Sequence, residues 1–333
     1  MTFWRTFHAV NEDIFCSLGL SLNLMLLVVI MKVKVKSMQK YNILLSQCCC
    51  VDLIQVIISL IVKPVTILHH KNLYYLSNGL LRDIGGQIEM LGIVLWITSV
   101  FFCICTTPVS FVFRYRTLCL NAEISKKFYI TSLLVALLGA ASFAMIVWKF
   151  QYLENQDYIH LVENNFPWIK ADDGKVKIVS VGLAGTYGML IAIINAFIVV
   201  IIPYIIIIVC NIKITKYLKH HQYALSAASR RVQTDLNRTL MAQAIIPVFS
   251  AFFPMGFHIL NAIVDLDFPF ATFICGIMYS WIPVGNAISV LVFVTAYREK
   301  LKQLFFHVKL KLPKVKKIKY SWLFSADIYH MII

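Results

Sequence analysis

Charge is scarce in this chain: Asp, Glu, Lys and Arg together make up 14% of its 333 residues, against 59% hydrophobic residues. A soluble globule of that size would have too few charges to cover its surface, which excludes a water-soluble fold and leaves a polytopic membrane protein. Acids are the rarer sign, 16 against 31 Lys and Arg, and the formal charge is +15. The bases lie in short clusters beside apolar runs instead of forming one basic face. Clusters so placed set membrane topology, and no nucleic-acid partner is expected.

Other absences narrow the reading further. Met1 to Asp13 lacks a basic region followed by a short apolar core and a small-residue cleavage site, so the first span is expected to serve as its own insertion signal. The nine cysteines all fall in apolar runs or on the basic side, so no extracellular disulfide framework is expected. The sequon Asn237-Arg238-Thr239 also lies on the basic side, away from the glycosylation machinery. Histidines are scattered, with only His69-His70 and His220-His221 adjacent. That pattern offers no clustered interfacial residues for an enzyme, no metal site and no cofactor site. No repeat relates two halves of the chain, as a duplicated transporter would require.

What the chain has is hydrocarbon-length runs. Seven are predicted to span: Ile14 to Met31, Ile43 to Leu68, Ile88 to Phe113, Phe128 to Trp148, Val181 to Cys210, Thr239 to Val264 and Phe270 to Thr295. The third organises the rest. It carries Gln87, Glu89, Trp96, Thr98, Ser99, Thr106, Thr107, Pro108 and Ser110, groups that lipid would penalise and protein would not, so it is read as an interior helix. Orientation follows from the bases: 7 Lys and Arg flank the spans on the side of the N-terminus and 23 on the opposite side. The positive-inside rule then puts the N-terminus outside.

Several residues stand out against this background. Asp52, nine residues in from the inner end of the second run, must face the bundle, with Asn23 and Asn286 as its nearest expected partners. The three form either a polar hub that repacks on activation, binding an ion or water, or a purely structural cluster. Lys63 is expected to snorkel to the headgroups. The outer stretch Lys149 to Lys177, around Phe166-Pro167-Trp168, is either a cap over a pocket or a solvated loop. Pro247 and Pro254 should make the sixth helix bendable. After the seventh run, Leu301, Leu304, Phe305 and Val308 fall at helical spacing, predicting a short amphipathic helix along the inner leaflet. A basic tail from Lys309 onward follows it, so the chain divides into a seven-span domain 1–308 and a cytoplasmic tail 309–333.

The order and spacing of these motifs resemble the nematode seven-transmembrane serpentine chemoreceptors of the Str superfamily. The resemblance rests on Gly19 and Asn23, Lys40-Tyr41, Asp52-Leu53, Arg114-Tyr115-Arg116, Leu240, Gln243-Ala244, Pro247, Pro254, Pro283, Asn286 and Tyr297-Arg298. Class delta fits best, with class h and the Str class as near neighbours. The chain departs from the rhodopsin-like pattern in three places. Phe113 precedes Arg114 where an acid would stand, no proline follows Asn286, and no cysteine sits at the top of the third helix or in the long outer stretch. No ionic latch on that pattern and no tethering disulfide is therefore expected.

The resemblance implies an all-α seven-transmembrane bundle, G-protein-coupled-receptor-like, that senses a small-molecule odorant or other chemical cue. It also implies signalling to a heterotrimeric G protein at the plasma membrane of a sensory cilium. The expected ligand pocket is lined by some of Trp96, Thr98, Ser99, Tyr187, Asn195, Phe257, His258, Asn261 and Tyr279. The expected coupling face carries Arg114, Tyr115, Arg116, Arg230, Arg231, Arg238, Tyr297 and Arg298, with Pro247 and Pro254 as hinges. A seven-helix transporter or ligand-gated channel is the alternative, and it would need a polar path through the whole bilayer.

Overall fold

The computed structural model describes residues 3–33, 39–82, 84, 86–123, 125–154, 178–221, 227–264 and 269–311. Within them lie seven helices long and apolar enough to cross a membrane. The first span is α1 (Phe3–Lys32) and the second α2 (Gln39–Val62). The chain then forms strands β1 (Pro64–His69) and β2 (Asn72–Ser77) before the third span, α3 (Gly86–Leu118). The fourth is α4 (Lys126–Ile146), extended by a π-helical stretch Val147–Leu153. Strand β3 (Ser180–Gly182) leads to the fifth, α5 (Tyr187–His220).

The last two spans are broken. α6 (Ala227–Pro247) passes through a π-helical stretch Val248–Phe252 into α7 (Phe253–Val264). α8 (Pro269–Ile277) passes through a 3-10 turn Met278–Ser280 into α9 (Trp281–Phe293). A final helix, α10 (Thr295–Lys311), matches the amphipathic segment expected after the seventh span. Its Leu301 and Leu304 pack on an inner core cluster that includes Leu26, Leu45 and Tyr297.

The third helix is the most enclosed of the seven, as its polar content predicts: 72% of its best membrane window is buried, against 22% in the fourth. Exposed Ile and Leu along α4 and α5 face outward, where lipid rather than water would meet them.

Several boundaries need correction: the fifth helix begins at Tyr187, with Val181 in β3, and runs on to His220, and the sixth begins at Ala227 instead of near Thr239. The first helix begins at Phe3, not near Ile14, which brings Arg5, His8 and Glu12 into the bundle, each less than 9% exposed. Their polarity concealed the helix from a hydropathy reading, because protein and not lipid surrounds them. The second helix ends at Val62, and Val65 to Leu68 are strand instead of helix. Pro64 has no N–H to continue a helix, and Lys63 before it takes a positive φ of 44°.

The antiparallel β1–β2 hairpin closes on His70 and Lys71, with His69 opposite Asn72. Both turn residues have positive φ, 45° and 67°, as a two-residue turn of the primed type requires. Strand β3 adds to β2, giving a three-stranded sheet at the outer end. Lys63 does not simply snorkel: its Nζ lies 2.7 Å from Asp13 of α1. The stretch around Phe166-Pro167-Trp168 and the tail from residue 312 lie outside the described residues.

Candidate functional site

Beneath the outer sheet is a cavity of about 90 Å³. An apolar cavity of about 150 Å³ takes up a benzene ring, so this space suits a molecule of similar or smaller size. Its ceiling is β1 and β2, through Thr66, Leu68, Leu73 and Tyr75. Its walls come from the third to seventh spans, and at their centre the rings of Trp96 and Tyr279 meet edge to face at 5.6 Å. Helical spacing on α3 makes the wall continuous, because Trp96, Ile97, Val100 and Phe101 share one face. Among the described residues no Lys, Arg, Asp or Glu lines the space. Burial pushes the Tyr75 phenol up from its ordinary value, so that hydroxyl keeps its proton.

A line of buried polar contacts descends from this cavity. The 3-10 turn under Tyr279 leaves carbonyls outside regular helix bonding, and Gln55 of α2 donates to the Tyr279 carbonyl at 3.2 Å. On the same turn Ser280 donates to Glu12 of α1 at 2.5 Å. Cys103 of α3 donates to Gln55 Oε1 at 2.9 Å and approaches Asp52 Oδ1 at 3.8 Å. Asp52 also accepts from Asn286 Nδ2 at 2.9 Å. Gln55 and Asp52 share a helix face at a three-residue spacing, and both are at most 2% exposed. A buried carboxylate held by neutral donors is costly in hydrocarbon and is tolerated only inside such a network.

The expected hub therefore forms in part. Asp52 and Asn286 are bonded, but Asn23 is not joined to Asp52: its amide donates to the carbonyls of Gly19 and Pro283, tying α1 to α9. Gly19 also lets α2 approach closely, since a Cβ there would stand 3.1 Å from Val56.

At the inner end Arg114 is fully buried and bridges the third and sixth spans. Its guanidinium donates to Asn237 Oδ1 at 2.9 Å, to the Gln233 carbonyl at 2.6 Å and to Gln233 Oε1 at 3.4 Å. Gln233 donates in turn to the Tyr41 hydroxyl at 3.1 Å. The closed partners of Arg114 are thus sixth-helix groups, not lipid phosphate or inner-loop carbonyls.

The remaining inner residues fall nearby. Arg116 lies over the Phe128 ring and Lys213 over the Tyr115 ring. Tyr297 is buried and donates to Asn42 at 2.8 Å. Arg230, Arg231, Arg238 and Arg298 surround an inner cavity of about 420 Å³ beside Asp235, which accepts from the first N–H of α10 at 3.2 Å.

Between cavity and latch, the π-helical stretch falls between Pro247 and Pro254, the two expected hinges. The Tyr204 hydroxyl donates to the Ala244 carbonyl at 2.7 Å, in the turn before Pro247. A π-turn beside two prolines is a weak point in the helix ladder.

Of the nine expected ligand residues, three line the outer cavity: Trp96, His258 and Tyr279. Thr98 and Ser99 bond back to Val94 and Trp96 carbonyls of their own helix. Asn195 accepts from Ser142 between α4 and α5, and Tyr187 is 83% exposed. Phe257 and Asn261 are absent from the lining, although Asn261 is fully buried. Glu89 is 4% exposed, as an interior third helix requires, so buried acids are more numerous than Asp52 alone. Sequence reading missed Glu12, Gln55, Cys103, Gln233, Ser280 and the role of Asn237. Two spacings carried a signal for some of them: Asp52 to Gln55 and Gln233 to Asn237 each put two polar groups on one helix face.

Comparison with known proteins follows the same lines. The family described as "Serpentine type 7TM GPCR chemoreceptor Srd" matches residues 9–303. "Serpentine receptor class delta-1" of Caenorhabditis elegans is 25% identical over 310 residues, which cover 87% of this chain and 78% of the relative. Among solved structures, squid rhodopsin superposes with a TM-score of 0.65 at 14% identity, over 94% of this chain and 88% of its own. At that identity the likeness concerns the fold, a seven-helix bundle.

Proposed function

The chain belongs to the Srd family of serpentine chemoreceptors, and we propose that it is a G-protein-coupled chemosensory receptor of the olfactory type. In this reading a small uncharged molecule enters the outer cavity and presses on Trp96 and Tyr279. The 3-10 turn shifts, the contacts from Gln55 to Asp52 and Asn286 rearrange, and the sixth helix swings about Pro247 and Pro254. Arg114 then leaves Gln233 and Asn237, and the inner arginines meet a heterotrimeric G protein. The plasma membrane of a sensory cilium is the proposed location, and the tail 309–333 is proposed to adhere to the anionic inner leaflet. The activity is signalling and not catalysis.

The observation that carries the reading is the unbroken line of contacts from Tyr279 through Gln55, Cys103 and Asp52 to Asn286. It gives one ligand-facing residue a bonded route to the inner half of the seventh helix. The transporter or channel reading needs a wet path through the bilayer, whereas the walls between Trp96 and Phe111 on α3 are packed with apolar side chains.

The test is a compound screen on cells expressing the full chain, with calcium or cAMP as output. Trp96→Ala and His258→Ala should weaken the response to any agonist found, and Phe257→Ala should not. Equal responses in all three variants at matched surface level would remove the cavity from the account.

A further inference from the structure

We infer that the outer cavity prefers a neutral molecule bearing a hydroxyl donor, an alcohol or phenol, over a ketone or hydrocarbon of the same shape. This inference rests on the ligand-sensing reading above.

Two buried acceptor atoms in the cavity walls have no partner. His258 Nδ1 lies 2.6 Å from the Pro254 carbonyl. A carbonyl only accepts, so Nδ1 carries the proton. His258 is 8% exposed and makes no ion pair among the described residues, so the ring is neutral and Nε2 presents only a lone pair. That atom has no partner.

Gln151, 1% exposed, gives one amide N–H to the Met189 sulfur at 3.8 Å, while its Oε1 is unpartnered, so the amide offers the space a bare acceptor beside its second N–H. Thr66 Oγ1 is a third buried atom without a partner, but a hydroxyl takes either role and sets no preference.

The Tyr75 and Tyr279 hydroxyls complete the site. Both side chains line the space, and each hydroxyl can donate or accept. A ketone can therefore satisfy a tyrosine while leaving both bare acceptors unpaired. An alcohol can accept from a tyrosine and donate to His258 or Gln151 at once. A hydrocarbon does neither. Ionised acids and amines are disfavoured, because among the described residues no side chain of opposite charge lines the space.

The experiment uses purified full-length chain in lipid nanodiscs, with the thermal unfolding midpoint as readout. 2-Propanol, acetone and isobutane are titrated as one shape-matched set, ethanol and propane as another. 2-Propanol should act at roughly tenfold lower concentration than acetone, the worth of one buried hydrogen bond. His258→Phe and Gln151→Met keep bulk and remove an acceptor, and at least one of them should erase the alcohol preference while leaving the hydrocarbon effect.

Acetone matching 2-propanol in the unaltered chain, or a preference unchanged in both variants, would overturn the inference and leave the receptor reading standing. Folded protein whose midpoint none of the five compounds moves would overturn the cavity as a ligand site, and the inference with it.

Discussion

Arg114 on α3 and Asn237 on α6 are joined guanidinium to amide oxygen at 2.9 Å, and no carboxylate takes part in the contact among the described residues. The third and sixth helices are thus held by a charge-assisted but not ionic latch. Such a bond contributes about 1.5–3 kcal/mol, enough to bias a two-state helix movement and weak enough to be overcome by a ligand. Asn237→Leu should therefore raise ligand-independent signalling by roughly tenfold or more. Basal cAMP or calcium at matched surface level measures it, and unchanged basal output would mean that the contact does not restrain the helix.

Loss of the arginine itself should act in the opposite direction on coupling. Arg114→Gln leaves 22 other inner Lys and Arg to fix topology, so the chain should still insert. Agonist-driven G-protein activation should fall in Arg114→Gln and in Arg116→Gln. Normal activation in both would reduce these arginines to topology signals.

Asp52→Asn replaces a buried acid by an isosteric amide beside Asn286 and Cys103. The variant should reach the surface and signal differently, in agonist potency or basal level. If it is lost from the surface and the surviving fraction signals normally, the cluster is structural only.

All nine cysteines are unpaired. Reducing agent should leave surface expression and agonist response unchanged, and mass spectrometry of peptides should find no outer disulfide. The sheet takes the place of a covalent tether, held by packing such as Gly276 on Thr66, where a Cβ would lie 2.5 Å from Oγ1. Gly276→Val should therefore lower surface level.

Tags at the two ends test orientation: one at Met1 should meet antibody on intact cells and one after Ile333 only after permeabilisation. The opposite labelling would reverse the charge argument.

Much of the bundle was legible because hydrocarbon imposes a simple length and polarity rule, and the third run satisfied it while carrying groups only protein could surround. The outer sheet was not. Val65 to Leu68 continue the apolar run of α2, and the hairpin turns on His70-Lys71 without the Asn-Gly or Asp-Gly pair that advertises such turns. Pro64 was the one available sign. The cavity was half legible: Trp96, His258 and Tyr279 were found from depth and aromatic character, but depth does not tell which face of a helix a side chain takes. Ser99 and Asn195 sit at suitable depths and turn toward neighbouring helices. The latch left only the four-residue spacing of Gln233 and Asn237 as a sign, since both lie before the apolar run that marked the sixth span, on its inner extension.

Nucleotide exchange on a purified heterotrimeric G protein, reconstituted with the full chain in nanodiscs, tests the central claim most directly. The account predicts that an agonist of the outer cavity accelerates exchange, that Trp96→Ala abolishes this acceleration, and that Asn237→Leu accelerates exchange without any ligand, even when combined with Trp96→Ala. Exchange at the receptor-free rate in every case, with the chain folded, would contradict it.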